Sequence, residues 1–149
     1  MPALLDPKND FVFKRLFASA PHLLADLINA VRSGEAPVQV VEVLNPRIEP
    51  AELSGKFIVL DVLARDAAGR LFNIEMQVRR HADWPLRSAY YLARTLANQL
   101  QGGDAYAELQ PVIGIHLMDF ELFAQDQAHW RFELRGHRHT EVVLTSSLQ

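Results

Sequence analysis

Between Leu71 and Arg80 the chain alternates: Phe72, Ile74, Met76 and Val78 take every second position, and Asn73, Glu75, Gln77 and Arg79 fill the places between. A period of two belongs to a strand with one buried face. The segment before it, "KFIVLDVLARD", is also strand-like, and the intervening "AAG" fits a tight hairpin in which Gly69 supplies the positive φ. A shorter β-branched run, "VQVVEVL", precedes both. Elsewhere the period is helical. In "DFVFKRLF", Asp10 to Phe17, the residues Phe13, Leu16 and Phe17 share a face, and "PHLLADLINAVR" carries Leu23, Leu24, Leu27, Ile28 and Val31 as a stripe that Pro21 can start and Gly34 can stop. After Pro85 the positions Leu86, Tyr90, Ala93, Leu96, Ala97 and Leu100 recur at helical spacing until "GG" at 102 and 103. "PVIGIHLMDF" is apolar enough for a strand buried on both faces, and "WRFELRG" with "TEVVLTS" can form a last hairpin. The order is helix, helix, three strands, helix, strand. An antiparallel meander followed by a helical crossover predicts an α/β fold, a mixed sheet with helices packed on it.

Hairpin geometry carries a consequence for chemistry. With a three-residue loop, Asp66 faces Arg70, Leu63 lies opposite Asn73 and Asp61 opposite Glu75, so two carboxylates meet on one face with Gln77 pointing the same way. A loop one residue shorter or longer would send the acids to opposite faces. Like charges directly opposite destabilise a sheet, and Asp61 sits in the apolar run "FIVLDVLA", where an ionised carboxylate is costly unless paired or metal-bound. A divalent cation removes both objections, with Asp61, Glu75 and the Met76 carbonyl as ligands. The plainer reading is a pair of solvated acids on an open sheet face, or acids paired with Arg65 or Arg79.

Composition narrows the metal. The 149 residues are 49% hydrophobic and 22% charged, which suits one domain with a real core, and with no cysteine the strong ligands left are carboxylates, amides and six histidines. No run of apolar residues has the length of a membrane span and no secretion leader is seen, so a cytoplasmic protein with no membrane partner is expected. A formal charge of −3 argues against coating nucleic acid by bulk electrostatics. Local basic clusters exist nonetheless, one from Arg79, Arg80, His81, Arg87 and Arg94, the other from Arg131, Arg135, His137, Arg138 and His139. The histidines are not read as a zinc site, and His116 with the rest reads as structural or exposed.

Asp61 and, after thirteen intervening residues, Glu75-x-Gln77 resemble the Asp and Glu-x-Lys core of the PD-(D/E)XK nuclease superfamily in a Glu-x-Gln variant. More closely, "DPKNDFVFKRLF", "LDVLARDAAGRLFNIEMQ", "RSAYYLARTLANQLQGGDAY" and "PVIGIHLMDF" together resemble the recombination-promoting nuclease family, also described as transposases, from about Asp6 to about Phe120. The resemblance implies a restriction-endonuclease-like mixed sheet flanked by helices and a Mg²⁺-dependent DNA endonuclease, Mn²⁺ able to substitute, that leaves a 3′-hydroxyl and is linked in bacteria to recombination. Transferred residue by residue, Asp61 and Glu75 bind the metal and Gln77 stands where lysine is usual; a neutral amide orients but supplies no positive charge. Lys14, one turn after Asp10 on the first helix, is the candidate cation, with Asp10 a possible site residue and an ordinary surface ion pair between them as the alternative. Arg79, Arg80 and Arg87 are candidates for holding DNA phosphates, though Arg87 can equally cap the packing of Tyr90 and Tyr91 on the sheet. Family members continue past the equivalent of Gln149, which implies that residues 1–149 are one nuclease-like domain truncated at its C-terminus. The rival is a catalytically inactive nuclease-derived domain that binds DNA or a protein partner. Cleavage of both strands of a duplex would need two active sites, hence a homodimer by analogy.

Overall fold

The computed structural model describes residues 4–45 and 62–149. Asn9 opens the first helix, α1 (Asp10–Ser19), by accepting hydrogen bonds at its side-chain oxygen from the backbone N–H groups of Phe11 and Val12, at 3.1 and 3.2 Å. Pro21 begins α2 (Pro21–Val31), where its missing N–H is no loss, and Gly34 beyond the end adopts φ 93°. The strands β1 (Val40–Val43), β2 (Val62–Asp66), β3 (Leu71–Gln77) and β4 (Val112–Met118) form one sheet in that spatial order. The first two pairings are antiparallel and the last is parallel, reached through α3 (Trp84–Ala97). This is the restriction-endonuclease-like mixed sheet with three flanking helices that the sequence led us to expect. The terminal hairpin also forms, from β5 (Leu134–Arg135) and β6 (Val143–Thr145), and the last residues run alongside β4, where the Gly114 N–H donates to the Gln149 carbonyl at 2.8 Å.

The β2–β3 turn is the one the spacing predicts. Leu63 pairs with Asn73 and Arg65 with Leu71, and Gly69 takes φ 85°. Asp66 holds the turn: its side chain, 2% exposed, accepts from the N–H groups of Ala68 and Arg70 at 3.0 and 2.8 Å and from the Arg70 guanidinium at 2.7 Å. Buried acid, Asx turn and arginine therefore fix the register that decides which face every β3 side chain takes.

Two apolar clusters lie on opposite faces of the sheet. Phe13, Leu24, Ile28, Val62, Ala64, Phe72, Ile74, Ile113 and Ile115 fill the side under α1 and α2, while Leu71, Leu92 and Val112 pack under α3. The helical stripe expected for α3 is met at Leu96, which packs against the second cluster, but not at its start. Leu86 and Tyr90 are 77% and 59% exposed, and Trp84 and Leu92 face the sheet instead, with Ser88 half-buried between them. Of the two tyrosines that Arg87 was expected to cap, Tyr90 is exposed and Tyr91 half-buried. Gly114 explains part of the phase. A Cβ there would sit 2.8 Å from a Leu92 methyl and 2.9 Å from His116 Nε2, so glycine lets α3 approach β4 at this point.

Candidate active site

The second half of β3 carries the expected face, but it is not an open one. Leu71, Phe72, Asn73 and Ile74 are buried, and the Glu75 side chain is only 16% exposed. The solvated reading of Glu75 fails because its side chain is largely buried, with His116 of the neighbouring parallel strand against one of its oxygens. Pairing with Arg65 fails as well, since that guanidinium reaches Glu42 at 2.8 Å.

Glu75 is held at both oxygens. Gln77 Nε2 donates to Oε1, the two side chains being neighbours on one face of β3, and His116 Nδ1 lies 3.2 Å from Oε2. His116 is brought there by the parallel ladder, in which Glu75 and His116 are direct partners and Gln77 pairs with Met118. Its other nitrogen, Nε2, is 2.9 Å from Ser88 Oγ on α3, and the Trp84 indole meets the imidazole edge-on with ring centroids 4.8 Å apart. Of the two readings for His116, structural or exposed, the structure removes the second: the side chain is largely buried and touches Glu75. Met76, between the two polar residues, turns its side chain to the opposite apolar cluster and so offers this site only its backbone.

Asp10 joins from α1. Burial, then the Glu75 charge, raise its carboxyl above the ordinary value, against a backbone hydrogen bond and the Arg79 charge, which lower it. Its Oδ1 is buried with no hydrogen-bond partner among the described residues. The folded chain therefore holds the Asp10 proton more tightly than the unfolded chain, and the protein loses stability as pH rises from below about 3.8 through the raised value. Asp10→Asn is therefore expected to melt at a higher temperature than the unaltered metal-free protein at pH 7, the gap closing below pH 3.8. Thermal melts at pH 7 and pH 3 check this, and equal melting temperatures at pH 7 would contradict it.

Lys14 is 1% exposed and has a partner, so the surface ion pair considered for it and Asp10 does not describe it. Arg79 and Arg80 are exposed, Arg80 with only a long 3.5 Å approach to the Leu122 carbonyl, and Arg87 is half-buried. Lys8 is a cation that sequence reasoning passed over. It pairs with Asp119 at 2.7 Å, and the Asp119 N–H donates to the Gln77 carbonyl at 2.9 Å, which sets Lys8 at the rim of the site. In the second basic cluster, Arg131 pairs with Glu35, Arg135 with Glu133 and His139 with Glu141, which consumes much of its charge locally.

Asp61, the expected partner of Glu75, lies outside the described residues. Among those described, no group of three or more histidines and acids comes together tightly enough to hold a metal by itself. No described helix is long and apolar enough to cross a membrane. The sequence profile of a family described as PD-(D/E)XK nuclease family transposase matches residues 7–149. No curated protein and no solved structure matches the chain.

Proposed function

The chain belongs to the PD-(D/E)XK nuclease family transposases, and from that premise we propose that it is a Mg²⁺-dependent DNA endonuclease, hydrolysing phosphodiester bonds in DNA recombination or transposition. The observation that carries this reading is the Glu75 carboxylate, largely buried, held by Gln77 and His116, and coupled to Asp10, which has an unpartnered buried oxygen. A solvated surface acid has no need of that arrangement. The described register ends at Val62 with Ile74, and the choice of Asp61 as the second acid rests on the sequence spacing and the family resemblance.

The donors suit a hard divalent cation. Carboxylate oxygens and a peptide carbonyl are what Mg²⁺ and Mn²⁺ accept, and the unpartnered Asp10 oxygen is an acceptor that a cation or its water shell can satisfy. Asp61 and Glu75 would hold it, with the Met76 carbonyl. When bound it supplies Lewis acidity toward water and the scissile phosphate. Gln77 keeps Glu75 oriented and contributes no charge. Lys14 is too deeply buried to touch DNA, so its part is to offset the negative charge of the acid cluster from the same side of α1 as Asp10. Arg79 and Arg80, exposed just past the end of β3, hold the DNA backbone, and Arg87 at the start of α3 extends that cationic edge. Two such sites in a homodimer would serve both strands of a duplex.

Supercoiled plasmid incubated with the protein and Mg²⁺ or Mn²⁺ is expected to be nicked, and chelation or the Asp61→Ala/Glu75→Ala double substitution should abolish the nicking. A folded protein that leaves plasmid intact with both metals would remove the catalytic reading and leave a nuclease-derived binding domain.

A further inference from the structure

Resting on the reading of Glu75 as a metal ligand, we infer that His116 is a positioning residue that aims the Glu75 carboxylate, and that Ser88 fixes the imidazole state needed for the task. Glu75 is on β3, His116 on β4 and Ser88 on α3, so the relay ties together three elements of the fold. To bind the carboxylate, Nδ1 must carry a proton. The hydroxyl of Ser88 at 2.9 Å from Nε2 can donate to that nitrogen, which makes the Nδ1-protonated neutral ring self-consistent. Trp84 closes the imidazole's flank edge-on, and the His116 side chain is only 11% exposed.

With Gln77 donating to Oε1 and His116 to Oε2, the carboxylate cannot swing without losing a hydrogen bond, yet each oxygen keeps a further lone pair for a ligand. Outer partners of this kind set the orientation of metal-binding groups and change metal affinity about 10–100-fold when removed. Gly114 belongs to the same device, because a Cβ there would press on His116 Nε2 as well as on Leu92.

Binding of Mn²⁺ alone to the purified full chain, followed by calorimetry, tests this with His116→Ala and His116→Asn, each checked for folding by circular dichroism. His116→Ala is expected to weaken Mn²⁺ binding about 10–100-fold. The Asn variant keeps an N–H close to the place of Nδ1 and should recover most of the affinity, which simple repacking would not do. Unaltered affinity in His116→Ala, or equal loss in both variants, would overturn the positioning role while leaving the metal site standing. No Mn²⁺ binding by the unsubstituted protein would instead sink the metal reading, and the role given to His116 with it. Long-range ¹H–¹⁵N spectra of the metal-free protein add a readout independent of metal. His116 should be protonated at Nδ1, and protonation at Nε2 alone would rule the relay out.

Discussion

Glu75→Ala is expected to lower metal-dependent cleavage by about 10³-fold or more while leaving the metal-free protein folded. A bound cation supplies several kcal/mol of transition-state charge stabilisation, and about 4 kcal/mol corresponds to that factor. Two features of the site make Glu75 the residue where the loss should be largest. It accepts from both Gln77 and His116, and its charge raises the Asp10 carboxyl, second only to burial among the described residues. Removing it therefore relieves electrostatic repulsion with Asp10 in the metal-free protein even as it removes a metal ligand. The discriminating measurement pairs plasmid nicking rates with the melting temperature of the metal-free variant. A variant that melts near the unsubstituted protein yet no longer cuts identifies a functional acid. Retained cutting would show that the β3 acid is not part of the machinery.

Phe72→Ala should have the largest effect on stability, about 3–5 kcal/mol. Phe72 is wholly buried on the α1/α2 side of β3, and two guanidinium groups approach its ring, Arg32 at 5.6 Å and Arg70 at 5.8 Å from the centroid. Truncation opens a cavity in the main core and deprives both cations of their aromatic surface. For a chain of this size the melting temperature should fall by about 10 °C or more. A fall of only a few degrees would mean that α2 settles onto the sheet to fill the space. Because Phe72 and Glu75 are on opposite faces of β3, this substitution should lower thermal stability without altering metal affinity at a temperature where the variant is still folded.

Much of this was legible in the amino-acid sequence because the relevant physics is local. Alternation along 71–78 marks a strand, "AAG" with a left-handed Gly69 sets a three-residue turn, and that turn fixes Leu63 against Asn73. The amphipathic run from Asp10 to Phe17, and Pro21 at the start of the next one, place the first two helices without reference to anything distant. The acid on β3 and the amide two residues on therefore share a face by covalent geometry alone.

The partners of that face were decided by tertiary structure. A parallel pairing has no tight turn to set its register; β3 and β4 are separated by the whole of α3, and nothing near His116 in the chain announces that it will lie across from Glu75. The phase of α3 was hidden for a related reason. Its inward face carries Ser88 beside Trp84 and Leu92, whereas Leu86 and Tyr90, the more apolar choice by spacing, point outward. Hydrophobic periodicity ranks faces by composition, but the sheet selects the one whose shape fits, and Gly114 made room for Leu92 and His116 together. Likewise a lysine on a helix reads as surface from sequence, and only the packing of α1 against the sheet buries Lys14. The sequence by itself determined the strand, the turn and the acid; long-range packing decided what shelters the acid and which side chains aim it.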